Sequence, residues 1–172
     1  ALSKVGDNLQ RMRELAVQAA NDTNGATDRD SLDKEYQQLA QEIARVVNAT
    51  NFNGRPLLNN TDDTVFQVGA NTSGDNQITI PASDLKTDLG VTAGTPDSLG
   101  GALGSLGTAG AATADEARDS MDAIDAALDL VNNTRATYGA AQNRFEAVIS
   151  NLQVAAENTS AARSRIMDAD FA

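Results

Sequence analysis

With 172 residues, 13 Lys and Arg against 24 Asp and Glu, and a net charge of −11, the chain has the length of one domain, or of one domain with an appendage. That acidic balance argues against nucleic acid, whose binding draws on clustered Lys and Arg, and against a polybasic membrane-surface segment; no run of about 18 apolar residues could span a bilayer. Cys and His are both absent, so there is no thiolate, no imidazole base and no conventional zinc ligand set. Most hydrolase, redox and metalloenzyme chemistry is thereby excluded, and no enzymatic activity, cofactor or metal is expected.

In chain order, Leu2, Val5, Leu9, Met12, Ala16 and Ala19 alternate in steps of three and four, which is a heptad seam and predicts helix one over 1–24. No capping signal stands ahead of it, so this helix is expected to continue upstream in a longer parent. Asn24-Gly25 is expected to end it, because both residues tolerate positive φ. A third-and-fourth spacing returns at Leu32, Tyr36, Leu39, Ile43 and Val46, predicting helix two over 28–48, entered through the polar run Thr27 to Asp30. The short loop between the two makes them antiparallel neighbours.

Asn53-Gly54 and Pro56 make the stretch Thr50 to Leu58 a turn. Val65, Phe66 and Val68, then Ile78 and Ile80, flank a Gly, Asn and Ser-rich break, so the region 50–81 is read as turn plus β-hairpin. A lone hairpin is marginal in water and must pack on the helices. Residues 82–112 are rich in Gly, Ala, Thr and Ser and are read as a surface connection with at most one short helical turn.

The longest element is predicted over 113–168. Its seam is Met121, Ile124, Leu128, Val131, Tyr138, Phe145, Ile149, Leu152 and Ala156, provided that Arg135 and Gln142 fill two skipped places. Thr113 and Glu116 form a threonine-x-x-glutamate capping pair at its start, and at 1.5 Å per residue the rod is roughly 80 Å long. The fold class is therefore mainly α: an elongated, coiled-coil-like three-helix bundle, an antiparallel pair plus one long C-terminal helix, with a packed β-hairpin, all as a single domain over 1–172.

Few residues suggest ligand chemistry. The run Ala20 to Ser31 superficially matches a calcium loop at Asp22, Asn24 and Gly25, but neither Ala20 nor Ser31 supplies the end carboxylate such a loop needs. The pairs Asp62-Asp63 and Asp168/Asp170 lack companion groups for acid–base work. On helix one, Arg11, Leu15 and Gln18 lie on one strip beside the seam, readable as a contact strip or, for Leu15, as part of a broad core stripe.

Five stretches, LQRMRELAVQ at Leu9 to Gln18, NFNG at Asn51 to Gly54, FQVGAN at Phe66 to Asn71, YGAAQNRFE at Tyr138 to Glu146 and ARSRIMDAD at Ala162 to Asp170, together resemble bacterial flagellin, the filament subunit, in the family's order. The resemblance implies the inner helical core domain of flagellin without its outermost assembly helices, with the family's variable outer domains, where present, inserted within 82–112. It further implies export through the flagellar type III apparatus with the help of an export chaperone, an extracellular filament location, and other flagellin subunits as partners. Recognition by the Toll-like innate immune receptor for flagellin is implied at Gln10, Arg11, Leu15, Gln18 and Glu42, with Arg144 on the long helix. Family members that evade the receptor differ in the helix-one motif, and this chain has the responsive type except at Met12, where a β-branched residue is common. The rivals are the hook-filament junction protein, which shares the terminal helical pattern, and a secreted helical adhesin or binding module. RELAVQ and ARSRI together favour flagellin.

Overall fold

The first heptad seam becomes helix α1, Leu2–Ala19, and the second becomes α2, Ala26–Ala49. Short paired strands follow: β1 (Asn51–Phe52) with β2 (Arg55–Pro56), β3 (Asn59–Asn60) with β6 (Ser83–Asp84), and β4 (Thr64–Gln67) with β5 (Gln77–Ile80), all antiparallel. A single-turn helix α3 (Leu85–Asp88) precedes the 56-residue helix α4, Ala114–Ala169. The computed structural model describes residues 1–92, 98–107 and 112–169; Asp170 of the acidic pair, and parts of the 82–112 link, lie outside the described residues. The chain adopts the mainly α class with a β-hairpin. It divides into two compact units, 1–63 with 81–135, and 64–80 with 136–172.

In the first unit α1 ends at Ala19, five residues before the expected stop. The reason lies in the carbonyls of its last turn, which any helix leaves without intrahelical partners. Here the Asn24 amide donates to Gln18 O (2.6 Å) and the Arg29 guanidinium to Ala19 O (2.9 Å). Side chains thus close the helix, and Gly25 is free to serve α2 instead, as its N-cap in an extended conformation with its own N–H held by the Asp28 carboxylate (3.2 Å). The pairs Arg11 with Glu35 and Ala19 with Arg29 keep nearly the same sum of residue numbers, which makes the two helices antiparallel, as expected.

The buried faces differ from the simple apolar seams in an informative way. On α2 the buried positions are Asp33, Tyr36, Ala40, Ile43, Ala44 and Val47, while Leu32, Leu39 and Val46 are only half-buried. On the part of α4 within this unit they are Ala114, Ala117, Ser120, Ile124, Ala127, Val131 and Thr134, and Arg135 is exposed. From Ala117 this seam keeps the three-four alternation without needing Arg135. The places on either side of Ile124 and Val131 belong to small residues, and the Ser120 and Thr134 hydroxyls satisfy themselves on Glu116 O (3.0 Å) and Leu130 O (2.9 Å) one turn back. The capping pair is present: Glu116 N–H donates to Thr113 Oγ1 (3.2 Å), and Thr113 N–H to Glu116 Oε2 (2.9 Å).

The described parts of 82–112 are not a surface connection. Leu85, Leu89, Val91, Leu99, Leu103 and Leu106 are all buried, so residues 98–107 act as a strap across the helices. What draws the strap inward is polar. Asp33, 3% exposed, accepts the Leu106 N–H (2.7 Å) on one oxygen and the Gln37 amide (2.7 Å) on the other. Tyr36 donates its hydroxyl to Ala102 O (3.0 Å), and the Ser120 hydroxyl, bonded to Glu116 O, shares its proton with Ser105 O at the longer distance of 3.3 Å. Burial pushes the Tyr36 phenol well above its ordinary pKa. Glycine gives the strap its course at Gly101 and Gly107, whose φ values of 57° and 149° suit a residue without Cβ.

In the second unit, β4 and β5 pair with Phe66 opposite Ile78 and Val65 opposite Thr79. Ile78 is buried, Phe66 half-buried, and Val65 faces solvent, as the period of two requires. The hairpin docks on its own stretch of α4 through Phe66 and Phe145, whose rings meet edge to face at 5.2 Å between centroids. Ala141 is buried where the expected seam had Gln142, which is exposed. Further along, Ile149 and Leu152 are about half exposed, and Ile166 and Met167 more so.

Removing the acceptor that holds the strap should be costly. Asp33→Ala strands the buried Leu106 N–H and is expected to lower unfolding free energy by about 2 kcal/mol, whereas Lys34→Ala next to it should cost less than about 0.5 kcal/mol. Urea denaturation of both variants measures the difference.

Candidate interaction surface on the first helix pair

The residues singled out on α1 separate by helical phase. Gln10, Arg11 and Gln18 are exposed, whereas Leu15 is 2% exposed and packs in the core beside Met12 and Ala19. Leu15 and Gln18 are one turn apart, but at about 100° per residue the side chain of Leu15 rotates onto the buried seam. Of the two readings the sequence left open for this strip, burial favours the core one for Leu15, which lies beneath a polar ridge of Gln10, Arg11 and Gln18. Glu42 sits half-buried on α2, and Arg144 is exposed on α4 in the second unit.

Arg11 is the centre of the ridge. Its Nε and Nη2 both donate to Glu35 Oε1 (2.9 and 2.7 Å), and Nη1 donates to Glu14 Oε2 (2.9 Å). Hydrogen bonding to Glu14 and then to Glu35 raises its pKa further. One guanidinium thus ties α1 to α2 while remaining half exposed. Two further arginines are similarly engaged: Arg13 Nε and Nη2 reach Asp125 Oδ1 and Oδ2 (2.7 and 3.1 Å), linking α1 to α4, and Arg45 forks onto both oxygens of Glu42 (2.7 and 2.6 Å). These hydrogen bonds hold the Asp125 and Glu42 carboxyls below their ordinary pKa values. Between the ridge and the Arg13 pair, Gln10, Arg13, Glu14 and Val17 border an open depression of about 380 Å³.

Sequence reading named Arg11 and Glu42 but passed over Arg13, Glu35, Arg45 and Asp125. Glu35 was findable, since antiparallel helices turning near residue 23 bring Arg11 opposite it. Arg45 was findable too, as an i, i+3 partner. Nothing local signals a pair 112 residues apart such as Arg13 with Asp125. Among the described residues no group of three or more His, Cys, Asp or Glu side chains could hold a metal ion, and no helix is long and apolar enough to cross a membrane.

Small residues in the helix seams, ion pairs between the helices and exposed apolar side chains on the long helix together describe a helical domain. Comparison with known proteins is specific about which. Residues 1–63 match the bacterial flagellin N-terminal helical region and 121–172 the bacterial flagellin C-terminal helical region. The chain is 43% identical over its whole length to a flagellin of Halalkalibacterium halodurans and 37% identical to a flagellin of Bacillus subtilis, spanning 58% and 63% of those proteins. It also superposes on the crystal structure of Bacillus cereus flagellin with a TM-score of 0.67 at 34% identity, covering 87% of this chain and 78% of that one. The chain belongs to the bacterial flagellin family.

The depressed Asp125 carboxyl has a consequence for acid stability. Where the folded pKa lies below the unfolded one, the stabilisation is fully present above the unfolded value, ~3.9 for Asp, and is lost as pH falls through the folded value. Asp125→Asn should therefore flatten part of the loss in melting temperature on acidification below about pH 4 while leaving the slope near neutrality unchanged. Thermal melts across that range, at low salt to limit screening, provide the comparison.

Proposed function

We propose that this chain is the helical core region of a flagellar filament subunit, a structural protein that serves motility and works outside the cell. Family membership carries the reading, and the exposure of Ile149, Leu152, Ile166 and Met167 on the long helix is consistent with it. The partners are other flagellin subunits, and delivery is through the flagellar type III apparatus with an export chaperone. Filaments sheared from the bacterium that makes the chain should contain its peptides in mass spectrometry and bind antibodies raised against it. Peptides confined to the cytoplasm would overturn the proposal.

The finer part of the proposal is recognition by the Toll-like receptor for flagellin through the exposed ridge of Gln10, Arg11 and Gln18, with Glu42 on α2 and Arg144 on α4 as further contacts. The support is the exposure of Gln10, Arg11 and Gln18 and the clamping of Arg11 by Glu14 and Glu35, which presents the guanidinium in a fixed pose. Fixed arginines make effective interface anchors, often worth about 2 kcal/mol on truncation. Leu15 enters as a support.

Two variants separate contact from packing. Arg11→Ala is expected to leave unfolding free energy within about 1 kcal/mol, as exposed ion pairs contribute little, while receptor signalling in reporter cells falls about tenfold or more. Leu15→Ala removes a fully buried side chain and is expected to cost about 2–5 kcal/mol in stability. Unchanged potency for Arg11→Ala at unchanged stability would defeat the contact assignment and leave the filament proposal standing.

A further inference from the structure

The sequence contains two Asn-Gly dipeptides, Asn24-Gly25 and Asn53-Gly54. Asparagine followed by glycine is open to a self-modification that uses only water. The backbone nitrogen of the glycine attacks the asparagine Cγ, a carbon–nitrogen bond forms, and the Cγ–Nδ2 bond breaks, releasing ammonia together with the proton the glycine nitrogen gives up. Water then opens the resulting succinimide ring at either carbonyl, leaving aspartate or its backbone-inserted isomer, isoaspartate. The step needs a mobile asparagine side chain and a glycine nitrogen free to approach it.

The two sites differ in both respects. At the first, the Asn24 amide is held on Gln18 O (2.6 Å), its backbone N–H on Asn21 O (3.1 Å), and the attacking Gly25 nitrogen on Asp28 Oδ2 (3.2 Å). All of these bonds belong to the junction of α1 and α2, so the reactive atoms move only if that junction opens. At the second, Asn53 and Gly54 form the two-residue loop between β1 and β2 with φ values of 50° and 79°, the primed turn such sequences favour. Both strands are two residues long and exposed throughout, with Phe52 64% exposed. Nothing lies within 4 Å of where a Gly54 Cβ would stand. One further bond closes the ladder, from Leu57 N–H to Thr50 O (3.1 Å) between half-buried residues, but the turn end, from Asn51 to Pro56, has no buried face and opens easily.

We infer that Asn53 is a spontaneous modification site of this protein, converting with water to aspartate and isoaspartate, and that Asn24 is protected from the same reaction by its hydrogen bonds. Aspartate at this position keeps the turn, because it too tolerates a left-handed backbone. Isoaspartate does not: it adds a methylene to the main chain between Phe52 and Gly54, so the two-residue loop no longer fits and the pairing of Phe52 with Arg55 is lost.

The experiment ages the whole chain in warm, mildly alkaline buffer, folded and in denaturant, and follows each site by peptide mapping with enzymatic isoaspartate detection. In denaturant the two dipeptides are expected to react at comparable rates. For the folded chain, the folded-to-unfolded rate ratio at Asn53 should exceed that at Asn24 by about tenfold or more, in line with the difference in local opening. A smaller difference, or faster reaction at Asn24, overturns the inference. Asp28→Ala, which releases the Gly25 nitrogen, should speed Asn24 alone; an unchanged Asn24 rate would show that these bonds are not what protects it.

Discussion

A carboxyl side chain buried to 3% exposure must be answered by donors, and the way Asp33 is answered determines much of the first unit. One of its donors, the Leu106 N–H, comes from a segment 73 residues away. Once that bond is made, Leu103 and Leu106 have nowhere to go but inward, and the carbonyls of Ala102 and Ser105 fall within reach of Tyr36 and Ser120. The strap is therefore specified by a polar pattern and stabilised by an apolar one. Neither alone would do: a glycine-rich segment has too much conformational freedom to be held by three leucines, and an unanswered carboxyl in the core would cost more than the leucines return.

The same division of labour applies on the surface. The arginines of α1 lie at the boundary of the core and reach across to α2 and α4. Exposed pairs of this kind add little stability. What they fix is register, since Arg11 can meet both Glu14 and Glu35, and Arg13 can meet Asp125, at one relative setting of each helix pair. A surface in which charged groups are mutually engaged is also pre-organised for recognition, because the side chains have already lost the freedom that binding would otherwise remove.

Much of this was legible in the sequence. The three-four spacing on α1, the threonine-x-x-glutamate start of α4 and the alternation in the β4–β5 hairpin are local signals, and each produced its element. Apolar spacing misled where the core is built from small and polar residues. Reading large apolar side chains selected Met121 and Leu128 and left Arg135 and Gln142 to fill the skipped places, whereas Ser120, Ala127, Thr134 and Ala141 are the buried ones. The strap was missed for the opposite reason, its glycines counting against helix while its leucines went unpartnered in a one-dimensional view. Leu15 was ambiguous because a strip three and four residues wide straddles the edge of the buried face. Gln10, Arg11 and Gln18 could be placed on the exposed side from helical phase, but their ion-pair partners required the fold.

The link from Arg13 to Asp125 also bears on the order in which the chain organises itself. Helices α1 and α2 are joined by a short turn, and contacts between them close small loops, which costs little entropy and is fast. Tyr36, Asp33 and Arg13, however, find their partners at Ala102, Leu106 and Asp125, 66, 73 and 112 residues away, and closing such long loops is slower. While the polypeptide is being made, its first half can form a helical hairpin but not the link from Arg13 to Asp125 or the bond from Leu106 to Asp33. For that interval the N-terminal half is an incomplete intermediate, and its survival depends on the C-terminal helix arriving before another molecule does.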